Sequence, residues 1–143
     1  MTRTERLARY RAARQRSAPR VSLAAFKALV AAALDDLPPE VGERLENVAV
    51  LVEARPDPDH LAELGYDPHE SLLGLYEGIN RLERGGGYHL VVPDRITLFW
   101  RPILEEVASA DPEKLRQEVR KTVVHEVAHH FGFDDAELER LGG

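Results

Sequence analysis

His125, Glu126 and His129 spell HExxH within HEVAHHFGFDD, residues 125–135. On a helix, positions i and i+4 lie on one face a turn apart, so both imidazoles can address a single ion. Glu126 then lies beside the ion rather than on it, where a carboxylate can take a proton from an activated water. Zinc brings the pKa of such a water to about 7, which suits a carboxylate base at neutral pH. A catalytic zinc ordinarily has three protein ligands and an open fourth position. The third ligand must follow the helix, and Gly132 permits the left-handed turn that returns the chain beneath it. Asp135, ten residues after His125, is the first choice. Asp134 is the second, because only one of two adjacent side chains can point inward. Glu137 and Glu139 are weaker candidates. His130 lies one residue off the ligand face and reads as a packing or supporting histidine. Val123, Val124, Val127 and Phe131 surround the cluster and should partly shelter it. Buried charge without a partner is costly, and a metal would resolve that cost.

The rest of the chain must position this cluster. Its 143 residues suit one domain, and 43% hydrophobic with 31% charged residues reads as soluble and globular. There is no cysteine, which excludes disulfides, thiolate-bound metals and a thiol nucleophile. No apolar run is long enough to span a membrane, and no secretory signal pattern opens the chain, so a cytoplasmic protein is expected. The net charge of −6 is uneven: residues 1–20 carry seven arginines and one glutamate, leaving −12 for the remainder. An acidic body argues against a broad nucleic-acid footprint. The basic arm, residues 1–20, reads as disordered or loosely helical. It is either a solvated tail or a contact for an anionic partner. Residues 21–143 form the folded domain.

Ser22 caps a helix whose stripe is Phe26, Leu29, Val30, Ala33 and Leu37, stopped by Pro38-Pro39. A short helical turn over Pro39–Leu45 precedes NVAVLVE, residues 47–53, a strand expected to be buried on both faces. Residues 54–71 hold Pro56, Pro58 and Pro68 and read as an irregular connection. Leu72–Tyr76 reads as a short strand and Gly85–Gly87 as a loop. Tyr88–Val92 and Arg95–Trp100 read as a hairpin. A helical segment covers 103–110. Asp111-Pro112-Glu113 then opens the motif helix, with an N-cap, a proline at the first position and an acid in the first turn, and Gly132 ends it. The fold class is α+β: an N-terminal helix, a small mixed β-sheet and a C-terminal helix carrying the cluster.

HEVAHHFGFDD resembles the HExxHxxGxxD motif of zincin-like metallopeptidases, and the whole chain is similar to the minimal zincins. NVAVLVE, GLYEG, PDRITLFW and VRKTVVHEVAHHFG follow that family's order, covering about Ser22 to Gly142. The resemblance implies a minimal zincin-like fold, His125, His129 and Asp135 as Zn2+ ligands, and Glu126 as general base. It implies a peptidase acting on a peptide or protein. The sole methionine is Met1, so a metzincin methionine turn is absent. With eight residues after the motif, a shallow cleft is expected, or one completed by a protein partner. A peptide substrate would add as a strand to a sheet edge, either Arg95–Trp100 or Leu72–Gly78. Tyr76 is a candidate oxyanion donor or, more simply, core packing. His60, His69 and His89 lack ligand spacing.

Two other functions fit part of the pattern. GFD at 132–134 is similar to the Gly-Tyr-Asp of small metallo-endoribonucleases, and the arginine arm could hold RNA. However, Asp135 stands where a third histidine belongs, and Glu126 would repel phosphate. A non-catalytic zinc-binding interaction domain would keep the histidines and make Glu126 dispensable.

Overall fold

The structure is a computed structural model that describes residues 2–6, 8–9, 19–67, 72–78 and 93–142. The expected strand at Tyr88–Val92, the loop at Gly85–Gly87, and Pro68, His69 and His89 lie outside those residues. So does most of the basic arm, whose first turn at residues 3–6 is helical. There Thr2 Oγ1 accepts from Glu5 N at 3.1 Å, and Glu5 Oε2 accepts from Thr2 N at 3.0 Å.

Helix α1 runs Leu23–Asp35, with the Ser22 side chain accepting from Ala25 N, and α2 runs Pro39–Arg44. Strand β1 (Val48–Glu53) and helix α3 (Pro58–Glu63) follow. Next come strands β2 (Gly74–Glu77) and β3 (Asp94–Phe99). Helices α4 (Trp100–Val107), α5 (Pro112–Phe131) and α6 (Asp135–Arg140) complete the order. This is the expected α+β architecture. No helix among the described residues is long and apolar enough to cross a membrane.

The sheet order is β1-β3-β2; β3 pairs parallel with β1 and antiparallel with β2. A parallel pair needs a long crossover, and residues 54–93 provide it while carrying α3 and β2. Ile96 and Leu98 are fully buried on one sheet face, against Phe26 and Val30 of α1 and Leu115, Val119, Val123 and Val127 of α5. Each such side chain contributes about 1.5–3 kcal/mol by leaving water. A smaller cluster of Leu61, Leu75 and Phe99 covers the other face.

Three expectations need correction. β1 is not buried on both faces: it is an outer strand of the described sheet, and Leu51 and Glu53 are exposed on the face away from α1 and α5. Residues 54–71 are not all irregular, because Asp57 caps α3 by accepting from Asp59 N and Pro58 opens it. Arg95–Trp100 is not an edge strand, because β3 has a neighbour on each side and Trp100 already begins α4.

Candidate active site

Helix α5 carries the motif, and its boundaries follow from local chemistry. The Asp111 side chain accepts from Glu113 N, and Pro112 supplies a preset φ where no amide partner is needed. Gly132 ends the helix at φ 70° and ψ 33°, in the left-handed region. Residues 115, 119, 123 and 127 repeat at four-residue intervals and face the core.

A second stripe, Thr122, Glu126 and His130, faces β2, the outer strand of the described sheet. A Cβ built on Gly74 would lie 2.8 Å from Thr122 Cγ2, so only glycine lets the strand approach that closely. Two residues on, Tyr76 N donates to Glu126 Oε2 at 3.2 Å, and the Tyr76 ring stacks on His130 with centroids 3.9 Å apart. Two further on, a Cβ at Gly78 would meet His130 Cε1 at 3.2 Å. The match is geometric. Two strand residues rise about 6.6 Å and four helical residues about 6.0 Å, so the elements stay in step along the contact.

The third stripe holds His125 and His129, one turn apart and both exposed. The expected shelter therefore reaches Glu126, which is half-buried, but not the two imidazoles. Phe131 is itself 37% exposed, with the Arg44 guanidinium 4.9 Å over its ring. Burial raises the Glu126 pKa, opposed by the Tyr76 N–H and by the charge of His129. Tyr76 is half-buried, and its hydroxyl donates to Asp94 Oδ2 at 3.0 Å. Burial and that bond push its pKa up to about 12.

Past Gly132 the two aspartates separate by role. Asp134 caps α6: its Oδ1 accepts from Glu137 N at 2.7 Å, and Glu137 Oε1 accepts from Asp134 N at 3.4 Å. Asp135 is the first residue of α6 and is exposed. The helix is held down by buried Leu141 and by Arg140 on Glu40 at 2.9 Å. Two exposed imidazoles and nearby carboxylates are nitrogen and oxygen donors of the kind zinc takes. Among the described residues, however, no three His, Asp or Glu side chains converge tightly enough to hold an ion. The donor chemistry fits the metal, and the pair His125 and His129 has the required spacing. A zinc site on this pair would need a third donor.

Residues 45–143 match the sequence model of the zincin-like metallopeptidase family. The chain belongs to that family. No curated protein matches it. Within this zincin-like chain, the matched region spans β1 through α6 and includes every residue of the cluster; α1 and α2 precede it.

Two features of this zincin-like metallopeptidase escaped the sequence reading. One is the backbone bond from β2 to Glu126, which no side-chain pattern encodes; its nearest signal is the four-residue spacing of Thr122, Glu126 and His130. The other is a mixed-charge cleft of about 370 Å³ on the opposite sheet face, lined in part by Asp57, His60, Glu77 and Arg95. His60 lies on α3 and faces Glu77. Its Nε2 lies 2.9 Å from Glu77 Oε2, and Arg95 also donates to Glu77. The HExxH residues take no part in that cleft.

Proposed function

We propose that this protein is a zinc-dependent peptidase, with His125, His129 and Asp135 holding the metal and Glu126 acting as general base. The observation that carries the reading is the arrangement of α5 against β2. Two exposed imidazoles lie one turn apart, and beside them a half-buried carboxylate is tied to a sheet edge. Membership of a metallopeptidase family supports the same chemistry. Asp135 is preferred over Asp134 because the Asp134 carboxylate already caps α6.

Zinc, when bound, supplies Lewis acidity that lets water lose a proton near neutral pH. The other roles fall to the chain itself. Glu126 Oε2 is occupied by the Tyr76 N–H, which leaves Oε1 to receive the proton from the attacking water. The same carboxyl can then deliver that proton to the departing amine.

In this reading an extended peptide lies along β2, the outer strand of the described sheet opposite β1. Phe99 N donates to Leu73 O at 2.9 Å, so in this antiparallel ladder Leu73, Leu75 and Glu77 turn their main-chain groups toward β3. Gly74 and Tyr76 turn theirs away from β3; the Tyr76 N–H is taken by Glu126, which leaves the Tyr76 carbonyl and the Gly74 main chain for an incoming strand.

Digestion of a peptide library beside a structured RNA, each with zinc-loaded protein, tests the proposal. Peptide cleavage with intact RNA is expected. RNA cleavage with intact peptides would instead favour an endoribonuclease, and no cleavage of either would favour a zinc-binding interaction domain.

A further inference from the structure

We infer that Tyr76 is the positioning residue for Glu126. Its main-chain N–H fixes the carboxylate, and its ring and hydroxyl fix the N–H. The inference rests on Glu126 acting as the base.

Four contacts meet at this one residue. The N–H donates to Glu126 Oε2 at 3.2 Å. The ring stacks on His130 at 3.9 Å with 23° between planes, and meets Phe131 edge-on at 6.0 Å. The hydroxyl donates to Asp94 Oδ2 at 3.0 Å, at the start of the central strand. The side chain thus joins the outer strand, the central strand and the motif helix. Glycines on either side, Gly74 and Gly78, let β2 come close to Thr122 and His130 of α5.

This arrangement matters because Glu126 lies on a helix face with exposed neighbours, and a glutamate has three rotatable bonds. Without a fixed donor, its carboxylate would sample several rotamers, and few of them would present an oxygen to the reacting water. A misplacement of about 1 Å is enough to cost a reaction around 100-fold. The donor is also well chosen. Tyr76 N–H points away from β3, so the bond takes nothing from the sheet ladder.

The test removes the donor and leaves the side chain. An ester in place of the Leu75–Tyr76 amide, installed with the hydroxy-acid analogue of tyrosine, deletes that N–H, keeps the side chain, and weakens the Leu75 carbonyl only as an acceptor toward β3. The expected result with zinc-loaded protein is a kcat lowered about 10–100-fold, with KM and zinc affinity unmoved. A merely structural role would disturb all three or none. Tyr76→Phe keeps the N–H and the ring but loses the hydroxyl bond to Asp94, so it should lower kcat in the same direction and by less than the ester variant. An unchanged kcat in the ester variant would overturn the inference.

A second readout needs no activity. Tyr76 amide exchange, measured on the metal-free protein, should be about 10–100-fold faster in Glu126→Ala, the equivalent of one hydrogen bond to a charged acceptor. The Leu75 amide, which faces β3, should remain protected. Equal Tyr76 exchange in both proteins would overturn the contact. Absence of any hydrolysis by the wild type would sink the peptidase reading and leave the exchange comparison standing by itself.

Discussion

Replacing Gly74 with alanine should force the outer strand away from the motif helix. The new Cβ would lie 2.8 Å from Thr122 Cγ2, 3.3 Å from the Thr97 carbonyl oxygen and 3.5 Å from Leu98 Cδ2. The first contact cannot be relieved cheaply. Thr122 is buried, and its Oγ1 donates to Glu118 O at 2.8 Å, so turning the methyl aside breaks a bond worth about 0.5–1.5 kcal/mol. The strand is held in place as well, since Gly74 is registered against Leu98 of β3. Overpacking of this kind costs about 1–3 kcal/mol. The lost freedom of the unfolded chain returns about 0.4–1 kcal/mol. A net loss of about 1.3 kcal/mol, within a span of roughly 0–2.6, is therefore expected by urea denaturation of the metal-free protein, with an unchanged m-value. Thr122→Ser keeps the hydroxyl and removes the clashing methyl. By itself it should cost about 1 kcal/mol, near the value of one buried methylene. In the double variant the two losses should fall short of additive by about 0.5–2 kcal/mol. Strict additivity of Gly74→Ala with Thr122→Ser would refute the close approach between β2 and α5.

Other consequences follow from single residues. Gly132→Ala meets no atom within 4 Å, so its cost is backbone strain at φ 70°, about 1–2 kcal/mol by thermal or urea unfolding, and Gly132→Asn should cost less. Asp134→Ala removes the α6 cap and should cost about 1 kcal/mol while leaving zinc affinity intact. Asp135→Ala should do the reverse, leaving metal-free stability alone and weakening zinc binding in titration by at least the roughly 10–100-fold seen on losing an outer-sphere partner. Burial pushes the Glu77 carboxyl upward, but hydrogen bonds from Arg95 and His60 outweigh it and hold its pKa below 4.5. A carboxylate lowered in the folded state adds stability above its unfolded pKa and loses it as pH falls through the folded value. Glu77→Gln should therefore be less stable than wild type near pH 7, with the gap closing below about pH 4.5 in a pH series of unfolding curves.

The elements with explicit start and stop chemistry were legible in the sequence. Asp111-Pro112 and Gly132 bracket α5, and Ser22 with Pro38-Pro39 brackets α1, because capping and proline geometry act locally. The same signal at Asp57-Pro58 opens α3, but three prolines nearby disguised it as loop. Strand neighbours were less legible, because pairing is set by tertiary contacts. Even so, the continuous buried run Ile96–Phe99 is what a central strand requires, whereas β1 alternates. The spacing of His125, Glu126 and His129 predicted a shared helix face for the imidazoles. It could not indicate that Glu126 is turned toward a backbone amide, since every residue but proline carries one. Nor could it reveal that Asp134 is committed to a capping box, which depends on where α6 begins.

The central claim is that one cluster both holds zinc and activates water through Glu126. The most direct measurement compares wild type with Glu126→Gln, by elemental analysis and peptide hydrolysis on the same samples. About one zinc per chain is predicted in both proteins, with hydrolysis in the wild type alone. A wild type without zinc affinity, or a glutamine variant that still cleaves peptides, would contradict it.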